Sequence, residues 1–182
     1  MMCELAAGVA CLVMLSLGEP GGPPIHRLSA EVGSGSNTQM WRIGAQRNWK
    51  RTFRIGRAWQ VGGYWDLAFG EWYGSNPTGD DETLVDVGVT PVFRLEPSRR
   101  SNAPSPYLEA AVGFHLLSKN HISNRRLGEA FQFGDHVGVG FRFGRRGRYD
   151  MSYRLQHLSN AGLARRNRGI NFNQIRFSYH FR

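Results

Sequence analysis

Cysteine is confined to the first eleven residues, at Cys3 and Cys11, so the rest of the chain has neither a disulfide framework nor thiolate metal ligands. Lysine is almost missing as well: of 23 basic residues only Lys50 and Lys119 are lysine, and the others are arginine, which suits bidentate contact with phosphate or carboxylate. No apolar run reaches the roughly 20 residues that a membrane-spanning helix needs, and no stretch repeats with the period of an amphipathic helix. Histidines and carboxylates are not grouped at metal-ligand spacing, so no metal and no cofactor is expected. The formal charge is +9, from 23 basic against 14 acidic residues, but the cations are scattered through the chain rather than gathered on a helix, which argues against nucleic acid.

The apolar stretch from Leu5 to Leu17 is too short to span a membrane and has the length of a signal-peptide core. Residues 1–18 are therefore expected to be a signal peptide, with Ser16 and Gly18 placing cleavage before Glu19. Its start departs from the usual pattern, with Glu4 and no basic residue, and Gly8-Val9-Ala10 before Cys11 fits a lipoprotein poorly. Residues 19–26, opening Glu19-Pro20-Gly21-Gly22-Pro23-Pro24, read as a linker, and residues 27–182 as one domain.

That domain is rich in alternation of period two, the signature of half-buried strands. Leu28, Ala30 and Val32 form one apolar face; Trp41, Ile43, Ala45 and Trp49 follow, and then Trp59, Val61, Trp65, Leu67 and Phe69. Three more faces are Val85, Val87, Val89, Phe93 and Leu95; Leu108, Ala110, Val112, Phe114 and Leu116; and Phe131, Phe133, Val137, Val139, Phe141 and Phe143. Pro91 cannot donate to a ladder and marks a local gap. A hairpin from Tyr149 to the C-terminus brings the count to eight. The fold class expected is all-β, an eight-stranded antiparallel transmembrane β-barrel with lipid outside and a packed polar interior. A soluble barrel would turn the apolar face inward, and alternation alone does not say which face is which. Two features favour the membrane form. Arg42, Asp66, Asp86, Arg94, Glu109 and Arg142 share the opposite parity at mid-strand, as an interior network would, and the chain closes on the aromatic series Phe177, Tyr179 and Phe181, similar to the ending of outer-membrane proteins.

The hairpin carries the chemistry. Tyr149, Met151, Tyr153 and Leu155 alternate with polar residues, and His157 and Ser159 then continue the apolar parity with an imidazole and a hydroxyl on one face. Such a pair can act as base and nucleophile. With both termini periplasmic, the segment from Asn160 to Gly169 is an outer loop, and the pair points toward lipid near the extracellular end of its strand. A second His-x-Ser-Asn, His121 to Asn124, lies in a polar stretch and reads as an outer loop.

His157-Leu158-Ser159-Asn160-Ala161-Gly162, followed by Asn167-Arg168-Gly169-Ile170-Asn171 and a final strand, resembles the outer-membrane lipid A 3-O-deacylase family, the PagL-type esterases. The resemblance implies hydrolysis of the 3-hydroxyacyl ester at position 3 of lipid A by a Ser-His-Glu triad. It makes Ser159 the nucleophile, His157 the general base and acid, and Asn160 the oxyanion-hole residue. At the acidic position stands Asn171, a neutral amide that can orient the imidazole without countering its charge; Asn173, of the same parity, is the next candidate. Arg165, Arg166 and Arg168 are expected to meet the lipid A phosphates. The partners implied are lipopolysaccharide and the outer membrane, with a homodimer left open. The alternative readings are a non-catalytic outer-membrane barrel of structural or adhesin type and a soluble ligand-binding barrel.

Overall fold

A computed structural model describes residues 25–35, 37–98, 104–164 and 168–181, so the expected signal peptide and nearly all of the linker lie outside the described residues. Eight long strands form the wall: β1 (Arg27–Gly35), β2 (Thr38–Asn48), β4 (Trp59–Ser75), β5 (Asp81–Pro97), β6 (Ser105–Leu117), β9 (Phe131–Phe143), β10 (Tyr149–Ser159) and β11 (Ile170–His180). Three short strands accompany them. β3 (Phe53–Ile55) lies against the start of β4, and β7 (His121–Ile122) pairs with β8 (Arg125–Arg126) between β6 and β9.

Each wall strand pairs antiparallel with its neighbours, and β1 bonds to both β2 and β11, while a β2–β4 ladder completes the circuit. Closure leaves the wall no open edge, which hydrocarbon would punish because unpaired backbone groups have no water there. The β5–β6 ladder is interrupted between Val89 and Val92, where the sequence puts Pro91.

Burial is inverted relative to a soluble protein. Val32, Val112 and Val137 are 58–60% exposed on the outside, whereas Asp86, Asp150 and Arg154 are 0–2% exposed within. Aromatic side chains gather on the outer surface toward both ends. Phe141, Phe143, Tyr149, Phe177, Tyr179 and Phe181 form a continuous stack at the periplasmic end, with centroids 5.4–6.4 Å apart. Phe114, Phe131 and Phe133 cluster near the extracellular end. The closing aromatics read from the sequence thus belong to a belt.

Inside, the expected charges meet. Arg42 donates to Glu31 at 2.8 Å and to Asp86 at 2.7 Å, and His115 contacts the other Asp86 oxygen at 2.8 Å. Arg154 spans Glu31, Glu109 and the Tyr64 hydroxyl at 3.1, 2.6 and 2.8 Å, and Arg94 joins Glu109 to Asp150. Arg142 sits at the periplasmic rim, paired with Glu96. Removing one member would strand its partners' charge in a buried interior. Arg154→Ala is expected to cost about 3–5 kcal/mol, read as a lower urea midpoint of the folded barrel in micelles.

The interior is not polar throughout, which departs from the expectation. At the extracellular end Met40, Trp72, Leu84, Leu117, Leu158, Ile170 and Phe172 pack with Ile122 and Leu127 from the loop that holds β7 and β8. Folding this loop over the mouth buries its apolar residues against inward strand positions and turns the extracellular end into a solid platform.

Candidate active site on the lipid-facing wall

Three neighbouring strands build the site. In register, His157 on β10 stands opposite Asn171 on β11 and Asp135 on β9, and Ser159 stands opposite Phe133. All five side chains share the outward parity, and His157, Asn171 and Asp135 are exposed. The neighbours below them on the same wall are Leu155 and Val137, with Asn173 beneath Asn171 and Ile175 beyond it. A polar patch thus interrupts the hydrocarbon-facing surface just beneath the extracellular rim.

His157 Nδ1 lies 2.5 Å from Asn171 Oδ1. A carboxamide oxygen only accepts, so Nδ1 carries the proton and Nε2 is left with its lone pair free to act as a base. Among the described residues the Ser159 hydroxyl has no hydrogen-bond partner, so base and nucleophile are not in hydrogen-bond contact. Such contacts often tighten only when substrate arrives. Asn173 stands opposite Leu155, and its amide oxygen accepts from the Tyr153 hydroxyl at 2.7 Å, which engages it away from the imidazole.

The loop after Ser159 is held from below. Asn160 is fully buried; its amide donates to Leu127 O at 2.9 Å and its oxygen accepts from Gly162 N at 3.0 Å. The side chain therefore ties the turn after Ser159 to the platform. That turn sets Ala161 at φ 51, a left-handed conformation that a residue with a Cβ adopts at a cost and that is common where function needs a particular geometry.

Gly169 closes the loop at φ 56. A Cβ there would come within 2.8 Å of His157 Cε1 and 3.3 Å of Nε2. Gly169→Ala should therefore push on the ring edge that must face the serine, lowering turnover by about tenfold or more while the folded barrel still forms, as read by kinetics beside heat-modifiable gel mobility.

Of the basic residues expected at the headgroup, Arg168 is exposed and its backbone N–H reaches Arg126 O at 3.4 Å, which brings Arg126 beside it. Arg165 and Arg166 lie outside the described residues. Arg126 and Asp135 were not singled out in the sequence. For Asp135 a signal was present: it occupies the apolar parity of its strand, as His157 and Ser159 do.

The second His-x-Ser-Asn is built differently. His121 belongs to β7 and contacts Asn120, Ile122 is fully buried, and Ser123, at φ 54, donates its backbone N–H to Glu82 at 2.7 Å. His121 and Ser123 do not bond to each other, and the segment is a small hairpin that plugs the barrel.

A closed eight-stranded barrel with inverted burial defines an outer-membrane β-barrel protein, here with a histidine and a serine on its lipid-facing wall. Comparison with known proteins gives the family. Residues 39–180 match lipid A 3-O-deacylase (PagL), and the chain belongs to that family. It is 32% identical over 131 residues to the lipid A deacylase PagL of Bordetella bronchiseptica, covering 67% of this chain and 68% of the relative. Against the lipid A deacylase PagL of Pseudomonas aeruginosa it is 28% identical over 163 residues, 89% of this chain and 90% of the relative. The crystal structure of the outer membrane enzyme PagL superposes with a TM-score of 0.75 at 25% identity, over 85% of this chain and 99% of that one.

Proposed function

We propose that the protein deacylates lipid A as a serine esterase, hydrolysing the ester of the 3-hydroxyacyl chain at position 3 within the outer leaflet. The observation that carries this reading is the outward-facing imidazole, held by Asn171 in the tautomer that leaves Nε2 basic, with a hydroxyl two residues away on the same strand face. Ser159 Oγ attacks the acyl carbonyl while Nε2 takes its proton, and the imidazolium returns that proton to the departing sugar oxygen. Water then attacks the acyl-serine with the same base. The oxyanion is received at the turn after Ser159, through Asn160 and the turn that its side chain fixes.

Placement fits the substrate. Phe133 lies across from Ser159 with Phe131 and Phe114 beside it, so an acyl chain reaching the serine can run along aromatic surface without leaving the hydrocarbon. Arg126 and Arg168 lie side by side beyond the site, Arg165 and Arg166 precede Arg168 in the sequence, and guanidinium forks suit the phosphates of the lipid A sugars. The test is mass spectrometry of lipid A from Gram-negative cells with and without the gene. Lipid A lighter by one 3-hydroxyacyl chain at position 3, with the free hydroxy acid released, is the expected result. An unchanged lipid A profile with the barrel present in the outer membrane refutes the reading.

A further inference from the structure

We propose that Asp135 is a positioning residue for the reaction, supplying beside the His157 imidazolium the negative charge that Asn171 lacks. The inference rests on the serine-esterase reading above and adds a residue to it. Register places Asp135 directly opposite His157 on β9, as Asn171 is on β11, so the imidazole is flanked by an amide on one side and a carboxylate on the other. Directly opposed residues of an antiparallel pair hold their Cβ atoms about 4.5–5.5 Å apart, within reach of side-chain interaction.

The location of Asp135 needs an explanation. It is exposed on the outer wall, two residues deeper than Phe133, the partner of Ser159, so it lies farther from the aqueous rim than the nucleophile does. Among the described residues it has no hydrogen bond or ion pair. A lipid-facing carboxylate without a partner is costly, and such residues are usually functional. The wall below it, Val137 and Val139, is apolar, so its use lies toward His157.

The charges around the imidazole make the case specific. β11 presents Asn171 and Asn173, both neutral; the loop before β11 presents the Gly169 backbone and, next to it, the cation Arg168; β9 presents Asp135. When the Ser159 proton moves to Nε2, the ring gains a positive charge that Asn171 orients but does not balance. A carboxylate across the ladder balances it in a medium of low dielectric, and remains a carboxylate throughout.

Asp135→Asn keeps shape and removes charge. Turnover should fall about 10²-fold with the Michaelis constant changed less than about threefold, and the ascending limb of the pH–rate profile should move to lower pH. Asp135→Glu should recover most of the loss, and Asn171→Glu placed in the Asp135→Asn chain should restore turnover. NMR titration of the His157 ring in micelles, with Ser159→Ala to prevent turnover, reads the same contact without any substrate. Its midpoint should fall on Asp135→Asn, and this holds even if lipid A proves not to be the substrate. An unmoved midpoint, or a change confined to the Michaelis constant, overturns the proposal.

Discussion

Ser159→Ala and His157→Ala should each abolish release of the 3-hydroxyacyl chain, by at least about 10⁴-fold, while the barrel folds and inserts as before. The size follows from the mechanism: without Oγ there is no acyl-serine, and without the imidazole the hydroxyl must lose its proton to water. The two losses should not add, because nucleophile and base act as one unit, and the double variant should be no slower than the worse single one. Folding should be spared because both side chains face outward and bear on neither the ion network around Arg154 nor the apolar platform at the mouth. Kinetics on purified lipid A beside heat-modifiable mobility measures both. A variant that unfolds says only that the position was structural, whereas a folded variant with unchanged turnover removes that residue from the site.

The second large effect lies at Asn171. Its oxygen, 2.5 Å from Nδ1, selects the tautomer, so Asn171→Ala frees the ring to rotate and should cost about 10²-fold in turnover. Asn171→Glu should instead raise turnover. Exchanging the acid of a well-studied soluble triad for its amide costs about 10⁴-fold, part of it through the wrong tautomer. That part is already avoided here, because the amide presents its oxygen, and Asp135 lies on the other side of the ring. The gain should therefore be about tenfold, with the ascending limb of the pH–rate profile moving to higher pH as the imidazolium gains a second anion. Equal rates for Glu, Ala and Asn at position 171 would place the residue outside the reaction.

Much of this was legible because a strand in a closed barrel has two faces and a period of two. Parity alone put His157, Ser159 and Asn171 on the lipid side and Arg42, Asp66, Asp86, Arg94 and Glu109 inside. Parity says nothing about register, however. The opposition of Asp135 to His157 depends on how β9 slides against β10, which is set by turns and packing along the whole wall. Nor does alternation reveal a loop that folds inward. Ile122 and Leu127 sit in a polar stretch, and their burial over Trp72 and Phe172 follows from a mouth that can be filled once all eight strands are in place. The turn that engages Asn160 with Leu127 is non-local for the same reason: 33 residues separate the partners.

The central claim is that Ser159, on the outer wall, is the nucleophile, and a long-chain alkyl fluorophosphonate tests it most directly. Delivered from the lipid phase to the folded protein, it should form one covalent adduct, mapped by peptide mass spectrometry to Ser159 and absent from the His157→Ala variant. Lipid A that is still deacylated by a protein with no adduct at Ser159, or with an adduct at another residue, would contradict the account.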